Sequence, residues 1–407
     1  MPIAQGINKT IAYKKQSGLG TAASGSGGQL IRRETAMLNV SKDSYENAEI
    51  VSHQQSTGST HGIARTMGSV NGLLSGQSYQ DFVSSLVRKA WVATTAITGV
   101  SLTIAASSSN YTITRSAGDF LTGGVKIGDI IQITAGSVNA NNLNKNLVVI
   151  GVTSTVLTVN VLASGLTMTA EGPIASCTVT IVGKKAWVPT SGHTNDYYTF
   201  EEYFTDLTRS AVYPDIQIAS LDLSMPATGN ASADFSLVGL GAVTQSGTQS
   251  LTSPTAATTT SVFGSVAGAV YIGGVRYSNV TSLSLKIDGQ VNAGEAVIGS
   301  NSVPDVYRGR IKVSGSFSYL YDADTLSAPF LNETVTSLII ALADARTAAA
   351  NTFGVTMSRV KFFSADADDG EKQIVRTVNF VAEIDGTGGA SLANNQTIVS
   401  IQDSQAA

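Results

Sequence analysis

The stretch Ser78-Tyr-Gln-Asp-Phe-Val-Ser-Ser-Leu-Val-Arg-Lys-Ala-Trp91 decides the fold, because its helical periodicity stands out in a chain of strand-like patterns. Its apolar side chains recur at helical spacing and form one stripe. A capping-box-like start is provided by Ser78 and Asp81, and basic residues near the other end favour the negative pole of the helix dipole. The side chains that we expect to pack against a sheet are Tyr79, Phe82, Val83, Leu86 and Val87.

Outside this stretch, Val, Ile, Thr and Ser alternate between Gly and Asn, which is typical of strands and turns. The apolar stripe must be buried, and a sheet is the partner that the remaining sequence offers. We therefore predict an all-β fold with one main flanking helix. A ligand-binding face is the alternative reading of the stripe, but core packing is far more common for such patterns.

Length and composition indicate a large, weakly charged protein. A chain of 407 residues suggests two or three domains, and a hydrophobic content of 43% is enough for real cores. Charged residues make up only 13%, against about a quarter in typical soluble domains. Few charges and 40 glycines suggest a surface that is largely used in assembly.

The net charge of −4 is unevenly distributed. Residues 1–94 carry a net charge of +4 and residues 95–190 a net charge of +2, whereas residues 191–407 carry −10. No block is basic enough for a nucleic-acid-binding stripe. The asymmetry is compatible with head-to-tail self-association, and equally with an ordinary spread of solvated charges.

The single cysteine, Cys177, allows neither an intrachain disulfide nor a cysteine metal cluster, and it reads as a small core residue. The first ten residues lack the basic and apolar regions of a secretory signal. No apolar run reaches membrane-spanning length. We expect a protein made in a cytoplasm, with no membrane partner.

A repeated motif suggests a domain boundary. Lys89-Ala-Trp-Val recurs as Lys185-Ala-Trp-Val, and six short strand candidates lie between the two copies. We predict that residues 95–185 form an inserted small β-barrel or sandwich domain. Residues 1–94 would then hold an N-terminal arm, the first strands and the helix of the parent domain, and residues 186–407 the rest of it.

Several segments are read as arms or hairpins. Residues 1–28 are Gly-rich and are interpreted as an arm that is flexible or orders only against a neighbour. His53–Gly68 is a second polar stretch, and Thr244–Ser261 is interpreted as a loop or extended arm. Ile216–Val238 has the alternation of a long hairpin, and Thr281–Ile298 is interpreted as a second copy of it, with Ala296–Ile298 as the returning strand.

The residues give little support for catalysis. The three histidines lie in polar contexts without a metal-ligand partner, and no serine sits in a nucleophile elbow. The acidic run at 366–371 departs from the spacing of a calcium loop and reads as a hairpin turn. Glu201 and Glu202 are neighbours on one strand, so their side chains point to opposite faces. We predict no catalytic residue, no cofactor and no metal site.

Several motifs resemble the major tail tube proteins of long-tailed (siphovirus-type) bacteriophages. They are Tyr271-Ile-Gly-Gly-Val, Val280–Asp288, Val297–Arg310, Lys312–Asp322 and Phe330-Leu-Asn-Glu-Thr, with Gly18-Leu-Gly-Thr-Ala and Tyr198-Thr-Phe-Glu201 upstream. The resemblance runs from near the start of the chain to its end, apart from the predicted insert.

This resemblance implies a β-sandwich or barrel subunit that assembles into stacked hexameric rings. The rings would form the tail tube through which DNA passes on ejection, without specific binding. Implied partners are further copies of the chain and the tape measure, tail tip and tail terminator proteins. The implied location is the virion tail, with the host cytoplasm during assembly.

On this reading the two hairpins face the lumen. The candidate lumen charges are Asp222, Asp234, Lys286, Asp288 and Glu295. The arm and the two polar segments would contact neighbouring rings, and the insert would decorate the outside of the tube. An acidic C-terminal half suits a channel that repels DNA phosphates.

Two other classes of protein remain open at this stage. One is a bacterial surface or adhesin-like β protein whose insert binds sugar, which the lack of an export signal opposes. The other is an enzyme with an inserted carbohydrate-binding module, which lacks a catalytic constellation.

Overall fold

The computed structural model describes residues 3–369 and 371–407. A 3₁₀ turn at Gly6–Asn8 comes first, and a single α-helix lies among the strands that precede the predicted insert. These elements are β1 (Lys9–Lys15), β2 (Gln29–Leu30), β3 (Thr35–Glu46), β4 (Ser59–Leu73), α1 (Gln80–Val87) and β5 (Val92–Ala93).

Six strands follow in the central part of the chain. They are β6 (Ile97–Ser107), β7 (Asn110–Arg115), β8 (Ile130–Ala135), β9 (Leu147–Val152), β10 (Val156–Val161) and β11 (Glu171–Ile181). They close into a barrel in the order β10-β7-β6-β11-β8-β9.

The remaining elements are strands, with a 3₁₀ turn (Asp324–Leu326) and a four-residue helix. The first eight strands are β12 (Lys184–Trp187), β13 (Tyr198–Phe204), β14 (Arg209–Pro226), β15 (Ser232–Gly239), β16 (Thr244–Ser246), β17 (Gly264–Ile272), β18 (Val275–Tyr277) and β19 (Val280–Asp288). The others are β20 (Val291–Ala293), β21 (Val306–Arg308), β22 (Lys312–Leu320), α2 (Ala328–Leu331), β23 (Thr336–Ala343), β24 (Thr352–Phe362), β25 (Asp366–Ala367), β26 (Val375–Ala382) and β27 (Ser400–Asp403). The predicted all-β fold with one main flanking helix is confirmed.

Seven antiparallel strands form the largest layer of the sandwich. They lie in the order β3-β4-β15-β14-β19-β22-β26, and we call them the seven-strand sheet. From β26 the pairing continues into β24, which leads to a second layer of β17, β23, β24, β27 and β12. One apolar core joins both layers, with Leu221 and Phe317 from the first and Ile340 and Val355 from the second.

Helix α1 packs on the inner face of the seven-strand sheet. Tyr79, Phe82, Val83, Leu86 and Val87 are all buried in the main core. The Phe82 ring lies 4.9 Å from that of Tyr13 and 5.3 Å from that of Phe235, between centroids. Such aromatic pairs stabilise a core beyond the area they bury.

The capping box predicted for this helix is wrong. The N-cap residue is Tyr79, which makes no side-chain capping bond, and the Asp81 carboxylate accepts a hydrogen bond from the Tyr13 hydroxyl at 2.8 Å. The helix ends after Val87, because Arg88 adopts a left-handed conformation with φ of 60°. It is therefore shorter than the predicted stretch from Ser78 to Trp91.

The barrel has a core of its own, which includes Leu102, Ile113 and Val159, each fully buried. Cys177 is buried in the same core. The chain enters from β5 and leaves into β12, and these two strands pair, with Lys184 opposite Ala93 and Lys185 opposite Val92. That residues 95–185 form an independent domain stays a prediction.

Polar side chains fasten the barrel to the second layer. The Gln402 amide donates to the carbonyls of Ile130 (2.8 Å) and Val182 (2.7 Å), and its oxygen accepts from the Ile130 amide at 2.8 Å. A buried ion pair joins Lys185 and Asp129 at 2.5 Å. Burial raises the pKa of Asp129, while the ammonium of Lys185 opposes that rise.

A second fastening lies at the other side of the barrel. The Arg276 guanidinium donates to the carbonyls of Val161 (2.9 Å) and Leu162 (3.1 Å). An apolar cluster shared by both units adds Tyr271 and Ile339 from the sandwich and Val148 from the barrel. The barrel therefore packs directly against the sandwich and is not joined to it by the connecting chain alone.

The N-terminal segment is not a free arm. Strand β1 pairs with β13 over its whole length, and Ile11 and Tyr13 are buried in the main core. Beyond β1, the Gly20 amide donates to Asp215 at 2.7 Å and the Ala23 amide donates to the Thr199 hydroxyl at 2.8 Å. The prediction failed because the long Gly-rich run hid a short alternating strand before it.

The predicted second hairpin is also wrong. Strand β19 pairs with β14 and with β22, and Lys312–Leu320 therefore takes the place predicted for Ala296–Ile298. The intervening chain forms a separate ribbon of β20 and β21, whose tip exposes Val297 and Ile298.

The two polar segments differ in structure. His53–Gly68 includes most of β4, a partner of β3 in a long hairpin. Thr244–Ser261 is mostly irregular and packs against the rest of the same chain, where the amides of Ser250 and Leu251 donate to the Glu201 carboxylate at 2.6 and 2.7 Å.

Candidate assembly surface

The outward face of the seven-strand sheet is lined mainly by small polar side chains, with Met37, Met67 and Val381 also exposed on it. Burial alternates along β15, β19 and β26, so successive side chains point to the core and to solvent. Strand pairing aligns the outward residues in rows across the sheet. One row is Ser232, Ser224, Ser284 and Ser316, and the next is Asn71, Asp234, Asp222, Lys286 and Ser314.

Hydroxyl groups on this face bond to one another. The Ser284 and Ser316 hydroxyl oxygens lie 2.9 Å apart, and those of Ser318 and Thr377 lie 2.8 Å apart. These pairs link β19 to β22 and β22 to β26. These hydroxyl groups partly satisfy one another's hydrogen bonds, so fewer of them are free to bond to a ligand. The surface is therefore polar but offers few strong binding groups.

The charges of this face largely cancel. Lys286 and Asp222 form an ion pair at 3.0 Å, with both side chains nearly half exposed. Asp288 accepts hydrogen bonds from the backbone and side chain of Gln290 at 2.8 and 2.5 Å. Asp234 and Lys312 are the other charged residues on the part of this face where the seven strands lie side by side. This described part of the face therefore has one net negative charge.

Four of the five candidate lumen charges therefore share this face. Asp222, Asp234, Lys286 and Asp288 lie on β14, β15 and β19. Glu295 does not join them, because it follows β20 in the exposed connection to β21. Sequence reasoning missed Lys312, because it did not identify β22 as the partner of β19.

The β3 edge of the sheet has no partner among the described residues, where β3 pairs with β4 alone. The hairpin of β3 and β4 continues beyond the sheet, since β15 ends opposite Thr66 and β4 begins at Ser59. Met37 and Met67 are exposed on this hairpin, at 56% and 60%. A free edge with exposed apolar side chains invites pairing with another chain.

The acidic pair at Glu201 and Glu202 has a structural role. The Glu201 carboxylate is buried and accepts a hydrogen bond from the Ser210 hydroxyl at 2.5 Å, whereas Glu202 pairs with Lys9 at 2.6 Å. Within residues 3–369 and 371–407, no cluster of three or more His, Cys, Asp or Glu side chains could hold a metal ion. No helix in that same part of the chain is long and apolar enough to cross a membrane.

These features describe a β protein with a hydrogen-bonded polar face and an open sheet edge. A family model described as phage tail tube protein matches residues 6–388. The chain therefore belongs to the phage tail tube protein family, a class of structural proteins of the virion tail. A search of curated proteins found no significant match.

Proposed function

We propose that this chain forms hexameric rings that stack into the tail tube of a long-tailed, siphovirus-type phage. The observation that carries the proposal is the seven-strand sheet, with its polar outward face and its free β3 edge. Ring closure would cover that edge, and joined sheets of neighbouring subunits would form an inner barrel. DNA would pass through its lumen on ejection.

The polar face is the proposed lumen wall, with Asp222, Asp234, Lys286 and Asp288 as its lumen charges. Serine and asparagine rows and one net negative charge offer little attraction to a polyanion, because phosphate binding depends on clustered Lys and Arg. Such a wall suits transport better than binding. It is also less acidic than the charge of the C-terminal half alone suggests.

The barrel is proposed to lie on the outside of the tube. It docks on β17, β23 and β27, which form the layer farthest from the polar face. Residues 95–185 would then be an inserted, outward domain. The tip of the β3–β4 hairpin is the proposed contact to the next ring, and the tape measure, tail tip and tail terminator proteins are the proposed partners at the tube and its ends.

Negative-stain electron microscopy of the purified, concentrated protein tests the assembly. We expect stacked rings or hollow tubes with knobs on the outside. If the protein alone stays unassembled, tail-tip components are added to start growth. Unassembled subunits under both conditions would overturn the proposal.

A labelling experiment tests which face lines the lumen. Ser284→Cys is on the polar face, and Ser109→Cys is at an exposed barrel turn. We expect a bulky maleimide to label both variants as free subunits, but only Ser109→Cys in assembled tubes. Equal labelling of the two positions in tubes would place the polar face elsewhere. The native Cys177 is buried and serves as background.

A further inference from the structure

A basic groove of about 590 Å³ lies at the end of the seven-strand sheet where β22 begins and β26 ends. Arg88, His193, Arg308 and Arg310 line it, and the described lining residues include no carboxylate. In a protein with 25 basic residues, three arginines in one groove are a marked local concentration of positive charge. We call this feature the basic groove.

Two of these arginines bond directly to neutral groups, although the Asp305 carboxylate lies near Arg308 and accepts from the Tyr197 hydroxyl beside it. The Arg88 guanidinium donates to the carbonyls of Gly289 and Gly309, at 2.8 and 2.9 Å. Burial and the nearby Arg308 guanidinium lower the pKa of Arg88. One terminal nitrogen of Arg308 is enclosed without a hydrogen-bond partner among the described residues. A negatively charged group would relieve both conditions.

The basic groove also has exposed apolar walls. Tyr307 is 66% exposed and Ile384 is 56% exposed, and both line the groove beside Ile311. A fitting occupant would therefore combine carboxylates with apolar side chains.

The chain carries a segment of this chemistry, which we call the acidic turn. It comprises Asp366, Asp368, Asp369 and Glu371, which are all exposed, and Lys372 is the cation next to them in sequence. None of the four carboxylates forms a salt bridge within the described part of the chain. The exposed side chains of Phe363 and Ile374 flank the turn.

The acidic turn and the basic groove lie at opposite ends of the same two strands. The turn precedes Val375, which pairs with Leu320 at the end of β22, whereas the groove holds Ile311 just before the start of β22. Nine residues of β22 separate the two ends, a span of roughly 30 Å. One subunit therefore cannot fill its own groove with its own turn.

Strand ends become rims when a sheet closes into a barrel, since strands tilt by only about 35–45° from the barrel axis. The free tip of the β3–β4 hairpin extends past the same end as the basic groove, beyond Thr66. One rim of each ring would thus carry grooves and hairpin tips, and the other rim acidic turns.

We propose that the acidic turn of one subunit docks in the basic groove of a second copy in the adjacent ring. The inference rests on the proposed ring-stacking function and adds its charge contact and direction. Because groove and turn are different surfaces, the contact is heterologous and repeats head to tail without closing. Rings joined in this way all face the same direction along the tube.

Charge reversal tests the contact. Arg310→Glu in the groove and Asp368→Lys in the turn both change exposed residues, and Arg346→Glu is an exposed control in the β23–β24 connection. We expect each reversal to raise the protein concentration needed for tubes about tenfold or more, since like charges then meet across the rims. The double variant Arg310→Glu/Asp368→Lys should assemble at a concentration within about threefold of the wild type, because the pair is restored with exchanged signs.

The outcomes separate this contact from the tube function itself. The contact would be overturned, with the tube function left intact, if the wild type formed tubes and the single variants assembled at the same concentration. It would also be overturned if the double variant needed as high a concentration as the single variants. A wild-type protein that forms no tubes even with tail-tip components would overturn both. Equal loss of assembly in Arg346→Glu would also overturn the contact, because the effect would then follow from charge alone.

Discussion

The six strands of the barrel close on one another, whereas β3 leaves an edge of the seven-strand sheet without a partner in the described structure. The barrel surrounds its own core, and the seven-strand sheet shares a core with a second layer and a helix. Both units consist of antiparallel strands with Ser- and Thr-rich sequences. The two units differ at their edges: closure leaves the barrel without an unpaired edge strand, whereas the open β3 edge presents unpaired backbone groups, and such edges are templates for pairing.

Deletion of residues 2–20 should produce the largest contrast between the two units. It removes β1 with the buried Ile11 and Tyr13, so we expect the sandwich to lose its cooperative unfolding transition while amides of the barrel remain protected from hydrogen exchange. Deletion of residues 2–8 is the control, because it leaves β1 in place. A folded sandwich after the longer deletion would contradict the structural role of β1.

Core truncations should act on one unit at a time. We expect Phe82→Ala to lower the free energy of unfolding of the sandwich by about 3–5 kcal/mol, and Ile113→Ala to lower that of the barrel by about 2–5 kcal/mol. Hydrogen exchange measured by mass spectrometry assigns each loss to its unit. If hydrogen exchange became faster by the same factor throughout the chain in both variants, the two cores would unfold as one unit.

The connection between the units should respond to Gln402→Ala by a smaller amount. This change removes the partners of the Ile130 amide and of two buried carbonyls, so we expect a loss of about 1–3 kcal/mol in the thermal or urea unfolding of the docked protein. Gln373→Ala changes an exposed side chain and should have no measurable effect. If both variants have the same stability, the barrel does not depend on this contact.

The polar face should give the smallest effect on stability. Lys286→Met removes a half-exposed ion pair, and we expect the free energy of unfolding to change by no more than about 0.5 kcal/mol. Urea titration of the free subunit measures it. A loss several times larger would mean that charges on the outward face stabilise the seven-strand sheet substantially, in addition to the apolar packing on its inner face.

Local periodicity predicted most of the secondary structure. The stripe of α1 and the alternation of β14, β15 and β19 were readable because each pattern points one set of side chains to a core. The end of α1 was not readable, since Arg88 adopts a left-handed conformation that is usual only for glycine.

Strand partners were harder to predict than strands. The alternation of Ser282-Leu-Ser-Leu-Lys-Ile fits any neighbouring strand with the same two-residue period. The pattern alone therefore could not decide whether its partner is Ala296–Ile298 or β22. The basic groove was missed for a similar reason. Its arginines come from positions 88, 308 and 310, and the fold alone brings the first to the others.

The paired entry and exit of the barrel have a mechanical consequence. A force that pulls the barrel outward loads β5 and β12 at adjacent residues and peels their short pairing apart bond by bond, instead of shearing all bonds at once. The load is then carried by the docking surface, whose contacts include the side chains of Gln402, Arg276 and Lys185 and the apolar cluster around Tyr271. We therefore expect the resistance of the barrel to an outward pull to depend on the docking surface more than on the short pairing of β5 and β12.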